Sequence, residues 1–311
     1  MTPPESGAAP AVRTVLGDIA PADLGVCDAH DHLFLRSPQL PGQELDSAEA
    51  AADELAAFHA VGGRGVVQWT PYGMGRHAAR LPELSRATGV RIVAATGLHQ
   101  AVHYPAELPT RLRTEGLAEL FVRELTEGIG DSGVRAGLIK VAGGFHGLDA
   151  HACWTMGAAA EAHHATGAPI AVHLELGTAA LDVLDLLCGE LAVAPRRVVL
   201  GHLNRSPDLA VHRRAAEAGA FLAFDGPSRA HHATDWRMPE AVRALVEAGY
   251  ADRLLLGGDT TTAGARSVRG GPGMPHLLRG VRDRLEAAVG AEPVELMLTA
   301  NAGRAFGAEW A

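Results

Sequence analysis

Short apolar or β-branched runs alternate along the chain with longer stretches whose apolar residues recur every three to four positions. The runs at 25–29, 65–69, 91–96, 136–141, 170–174, 198–201, 221–224 and 254–257 predict eight strands. The amphipathic stretches at 47–61, 78–88, 117–128, 150–166, 179–190, 208–218, 239–248 and 275–289 predict the helices between them. Helix stops stand at Gly62, Gly89, Gly167, Gly219 and Gly249. Eight strand–helix units in succession predict an α/β fold, a (β/α)8 or TIM barrel of parallel strands, rather than an open sheet. Residues 12–15 read as a short arm before the barrel and 292–306 as one closing helix. No linker or repeat interrupts the pattern, so residues 1–311 are expected to form one domain. The Gly/Pro-rich piece 270–275 lies between the eighth strand and its helix and reads as an active-site loop.

In such a barrel, chemistry sits at the carboxyl ends of the strands. His30, Asp31 and His32 end the first strand. Alternate residues of an extended chain point the same way, so both imidazoles can reach one cation. Lys140 ends the fourth strand, His173 lies in the fifth, His202 ends the sixth and Asp259 follows the eighth. A lone His-x-His pair says little. Joined by single candidate ligands from four further strands at one rim, it points to a metal centre.

Composition changes the picture in three places. Of 27 basic side chains one is lysine, Lys140, so the position that ends the fourth strand has kept an amine in an arginine-rich chain. From the residues alone, that amine is either an ordinary cation or a ligand. The net charge of -9, with no basic stripe, argues against nucleic acid as a partner. Cys27, Cys153 and Cys188 are an odd number without a close pair and read as free thiols. With no signal-peptide pattern at residues 1–10 and no membrane-length apolar run, a cytoplasmic, membrane-free protein is expected.

The chain resembles the phosphotriesterase family of the amidohydrolase superfamily. The resemblance rests on Thr14-Val15-Leu16-Gly17, His30-Asp31-His32, the stretches 86–90 and 94–97, Ile139-Lys140, Gly201-His202, Phe224-Asp225-Gly226, Gly258-Asp259 and the stretch 301–306. It implies two divalent cations, zinc first, with manganese, cobalt or iron accepted by the same donors. His30, His32 and Asp259 would hold the buried cation and His173 and His202 the outer one. Lys140, carboxylated on its amine, would bridge them together with a hydroxide nucleophile. Arginine could not serve there, because its guanidinium stays protonated. Asp259 would also be the catalytic base. A homodimer is the assembly the resemblance suggests. Two departures stand out. Asp31 replaces the glutamate usual in the family, at a position expected to point away from the cations. His99 stands where relatives often carry an aromatic residue facing the substrate.

Substrate choice falls to the loops. Arg205, Arg229 and Arg266 follow the sixth, seventh and eighth strands and would suit a small anionic substrate. Trp69 and His99 are further candidate substrate contacts, and His146, His231 and His232 also fall on strand-to-helix loops. The few large apolar loop residues argue against a long acyl chain. The expected activity is metal-dependent hydrolysis of a lactone or related carboxylic ester, with phosphotriester turnover as a side activity. Hydrolysis of an N-acyl amide is the alternative, and a ligand-binding barrel without turnover stands behind both.

Overall fold

A computed structural model describes residues 9–225 and 235–311. A hairpin of β1 (Ala11–Thr14) and β2 (Gly17–Ile19) comes first, and the carboxyl-terminal β11 (Gly307–Ala308) pairs antiparallel with β1. Eight strands follow in one parallel sheet in sequence order: β3 (Cys27–Asp31), β4 (Gly65–Gln68), β5 (Arg91–Gly97), β6 (Leu138–Ala142), β7 (Ile170–His173), β8 (Val198–Gly201), β9 (Phe221–Asp225) and β10 (Leu254–Gly257). The first and last of these meet where the backbone N–H groups of Gly258 and Asp259 donate to His30 O at 3.0 and 2.8 Å. The expected barrel of parallel strands is the fold observed.

Parity along each strand explains the core. Val67, Val93, Leu138, Ala171, Val199, Ala223 and Leu255 form one buried cluster inside the barrel. Their neighbours Val66, Ile92, Ile139, Val172, Leu200, Leu222 and Leu256 face outward into a second cluster under the helices. That outer layer contains α1 (Ala48–Ala60), α2 (Leu81–Thr88), α3 (Glu107–Glu115), α4 (Leu117–Thr126), α5 (Ala150–Thr166), α6 (Ala180–Leu184), α7 (Leu209–Glu217), α8 (Met238–Glu247) and α9 (Arg282–Val289). Ser47, Asp149 and Asp208 cap α1, α5 and α7 by accepting backbone N–H bonds.

Three elements differ from expectation. The closing helix is two, α10 (Ala291–Leu298) and α11 (Ala300–Phe306), separated at Thr299, whose backbone leaves the helical region. The loop after β5 holds the extra helix α3. Strand β3 starts two residues later than its apolar run suggests, because Gly25 has φ +71° and ends a short helical turn. Among the described residues no helix is long and apolar enough to cross a membrane.

Candidate metal centre

The same parity that fills the barrel aims its last inward residues at the rim. Leu138 faces in, Ile139 out and Lys140 in; Ala171 faces in, Val172 out and His173 in. The β3–β4 ladder is irregular between Asp28 and Asp31, the stretch that carries His30, and such bulges re-aim side chains. His202 and Asp259 sit just past their strands with φ of +64° and +50°, a region that non-glycine residues occupy at a cost and often at functional sites. Close approach demands glycine at two points. A Cβ on Gly97 would lie 1.9 Å from Lys140 O, and one on Gly258 2.2 Å from Asp31 Oδ2.

One ring nitrogen of each of the four histidines lies beside a side-chain oxygen of the protein. His32 Nδ1 lies 2.7 Å from Thr70 Oγ1, and that hydroxyl already donates to Phe34 O at 2.6 Å, so His32 Nδ1–H must be the donor. His202 Nδ1 faces Asp225 Oδ2 at 2.9 Å, and His30 Nδ1 approaches the same oxygen at 3.2 Å, off the line of a good hydrogen bond. His173 Nε2 faces Glu175 Oε2 at 3.1 Å. The remaining nitrogens converge. His30 Nε2 and His32 Nε2 each stand 3.7 Å from Asp259 Oδ1, and His202 Nε2 stands 2.8 Å from His173 Nδ1. Which of those last two nitrogens carries a proton depends on the tautomers; with both outer nitrogens protonated, the two lone pairs would be turned toward one cation. Ligand atoms of His30, His202 and Asp259 all lie within 4.8 Å of one another.

Electrostatics favour the ligating forms. Burial holds His32 down to about 4, and burial with the neighbouring His202 holds His173 down to about 3, so both rings are neutral at physiological pH. Burial would raise the carboxyls of Asp225 and Asp259, but the surrounding histidines outweigh it and keep both well below the usual range. Burial also pulls the Lys140 ammonium down to about 7, against the opposing pull of Asp259. A large share of that amine is therefore neutral and nucleophilic near neutral pH. Donor types, protonation and convergence all fit a divalent-cation site.

Other candidates fall differently. Trp69 is fully buried, stacks on His30 with ring centroids 3.7 Å apart, and donates its indole N–H to Ala29 O at 2.8 Å. It supports His30 from beneath. His99 is buried with its ring 4.7 Å from that of His173. Its Nδ1 accepts the Gln100 N–H at 2.7 Å, which leaves Nε2–H as a donor. Arg205 pairs with Asp235 at 2.7 Å, and the buried Arg266 donates to Leu33 O. Both guanidinium groups are thus engaged by protein oxygens. Arg229, His231 and His232 lie outside the described residues. Asp31 does more than point away. Its carboxylate accepts the N–H groups of His32 (2.6 Å) and Thr260 (3.0 Å) and so ties the first rim segment to the eighth.

Four residues were given no role in the sequence reading: Thr70, Glu175, His103 and Asp225, the last quoted only within Phe224-Asp225-Gly226. Asp225 had a signal, since Phe221 and Ala223 face inward and parity sends Asp225 the same way. His103, whose ring lies 4.3 Å from that of His99, sits on a short helical turn that no periodicity announces.

A model of the phosphotriesterase family matches residues 10–306. The phospho-furanose lactonase of Mycoplasmopsis agalactiae is 32% identical over 243 residues, 72% of this chain and 69% of that protein. The phosphotriesterase homology protein of Mycobacterium tuberculosis is 31% identical over 268 residues, covering 80% of this chain and 81% of the relative. A lactonase crystal structure from Listeria monocytogenes superposes with a TM-score of 0.87 at 26% identity, over 95% of this chain and 98% of that one.

Proposed function

We propose that this chain, a metal-dependent hydrolase that belongs to the phosphotriesterase family, opens the ring of lactones at a centre of two divalent cations. The observation that carries this reading is the pair of imidazole nitrogens, His173 Nδ1 and His202 Nε2, brought together at 2.8 Å. The lactone assignment draws on the relatives named lactonases, in sequence and in structure.

In this reading His30, His32 and Asp259 hold the inner cation and His173 and His202 the outer one. Zinc suits imidazole and carboxylate donors, and manganese, cobalt and iron share them. Lys140 joins the set as a carbamate. Its neutral amine adds to carbon dioxide, loses a proton and becomes an anionic oxygen donor. When bound, the two cations supply a nucleophilic hydroxide at neutral pH and Lewis acidity toward a carbonyl oxygen.

The chain's own groups do the rest. Asp259, ionised between three histidines, takes the proton released on attack and returns it to the ring oxygen as the C–O bond breaks. A hydroxy acid leaves. His99, with Nε2–H as its free donor, offers a hydrogen bond to the substrate beside Lys140. The buried Thr70 and Asp225 keep the ring nitrogens aimed before substrate arrives. The same attack suits a phosphotriester centre, so slow turnover of phosphotriesters is expected as a side activity.

A panel of lactones, N-acyl amides and phosphotriesters, offered to protein loaded with zinc or manganese in bicarbonate, tests this reading. Lactones should give the highest kcat/KM. Preference for N-acyl amides, or no lactone turnover at all, would overturn it.

A further inference from the structure

The four histidines of the centre are not held alike. His32 and His202 rest on Thr70 and Asp225, which are fully buried, and His30 Nδ1 lies 3.2 Å from the same Asp225 oxygen without a hydrogen bond. The partner of His173 is Glu175, whose side chain is 38% exposed at the mouth of the barrel. Glu175 stands in a turn built at some cost. Leu176 has φ +49°, and Gly177 packs so closely that a Cβ there would lie 2.5 Å from His202 O. Thr178 fastens the turn by donating its N–H (3.1 Å) and hydroxyl (2.7 Å) to Glu175 O. Gln100, from the loop after β5, donates its amide to Glu175 Oε2 at 3.2 Å and to Gly143 O at 2.8 Å. Gln100 thus ties the loop after β5 both to this carboxylate and to the loop after β6.

We propose that Glu175 is the positioning residue of the outer cation: it fixes His173 with its proton on Nε2, leaves Nδ1 bare, and so sets how tightly that cation is held. This rests on the two-cation reading above. The carboxylate makes the imidazole a stronger donor through Nε2–H and stops the ring from presenting the wrong nitrogen. Because the contact is open to water, it is also the weakest point in the shell of partners. The outer cation is therefore the first to leave and the one whose affinity a single side chain governs, while the inner cation depends on groups that Glu175 does not touch.

The test is metal retention, read apart from turnover. Wild-type protein and the Glu175→Ala, Glu175→Gln and Gln100→Ala variants, all loaded with zinc in bicarbonate, are equilibrated with graded chelator and their bound metal counted. Wild type should lose its two cations in two steps. Glu175→Ala should move the first step to roughly 10- to 100-fold lower chelator and leave the second in place. Glu175→Gln, whose amide oxygen still accepts the Nε2–H, should fall between, and Gln100→Ala should move the first step slightly in the same direction. A residue that merely stabilised the loop would not split the two steps in this way. An unmoved first step in Glu175→Ala overturns the proposal, and if that variant does not fold, an unmoved first step in Glu175→Gln does so. A wild-type chain that binds no cation overturns the two-cation reading as well, so the two failures are told apart.

Discussion

His173 Nδ1 and His202 Nε2 face each other at 2.8 Å while the far nitrogen of each ring rests on a carboxylate, Glu175 for one and Asp225 for the other. With both far nitrogens protonated, the near pair would need a proton or a cation to face each other at that separation. The rings are held there by strand ends that belong to the core of the barrel, so the arrangement comes with the fold.

Lys140 makes the metal-stripped protein sensitive to pH. Its folded pKa of about 7 lies below the ordinary 10.5, so between those values the unfolded chain binds more protons than the folded one. Stability should therefore fall as pH drops from about 10.5 to about 7, by on the order of 5 kcal/mol from this group. Chemical denaturation of chelator-treated wild type and Lys140→Met across this range checks it. The difference between the two should shrink as pH rises, and a constant difference would contradict the buried neutral amine.

In the proposed two-cation centre Asp225 would serve one histidine of each cation, through contacts of 3.2 Å to His30 and 2.9 Å to His202, and it also accepts the His202 backbone N–H at 2.6 Å. Asp225→Asn keeps the shape and removes the charge. Retention of both cations should weaken about 10- to 100-fold, in contrast to the single step expected for Glu175 variants. Chelator titration with metal counting reads this directly.

Trp69 is beneath the site and does not line it. Trp69→Phe keeps a ring under His30 and loses the indole bond to Ala29 O, so it should cost about 1 kcal/mol in stability with KM unchanged. Trp69→Ala should cost about 3–5 kcal/mol and loosen the metal as well. Thermal melts and lactone kinetics on both variants distinguish a floor from a substrate contact.

Arg205 is held by a carboxylate of its own fold. Arg205→Met removes the cation from a largely buried pair with Asp235 and should destabilise by about 3–5 kcal/mol. KM for an uncharged lactone should stay close to wild type. A large rise in KM with little change in Tm would make Arg205 a substrate contact instead.

The barrel and the gathering of the candidate ligands at one rim were legible because both follow from local rules. Eight apolar runs separated by helical periods leave few other folds, and strand parity carries Lys140 and His173 to the inner rim. The partners were harder to read. Thr70 and Glu175 lie on loops, where neither period of 2 nor of 3.6 applies, and their roles depend on which loop crosses which. Arg205 and Arg266 looked available because a sequence shows a charge without the carboxylate or carbonyl that engages it. The break at Thr299 was hidden because residues on both of its sides favour helix.

The most direct measurement follows lactone hydrolysis while metal-free protein is titrated with zinc in the presence of bicarbonate, bound metal being counted at each point. Activity should be absent without metal and rise to a break at two cations per chain, and Lys140→Ala should neither hold the pair nor recover the rate. Lactone turnover that is independent of added metal, or a protein that binds none and stays inactive, would contradict the account.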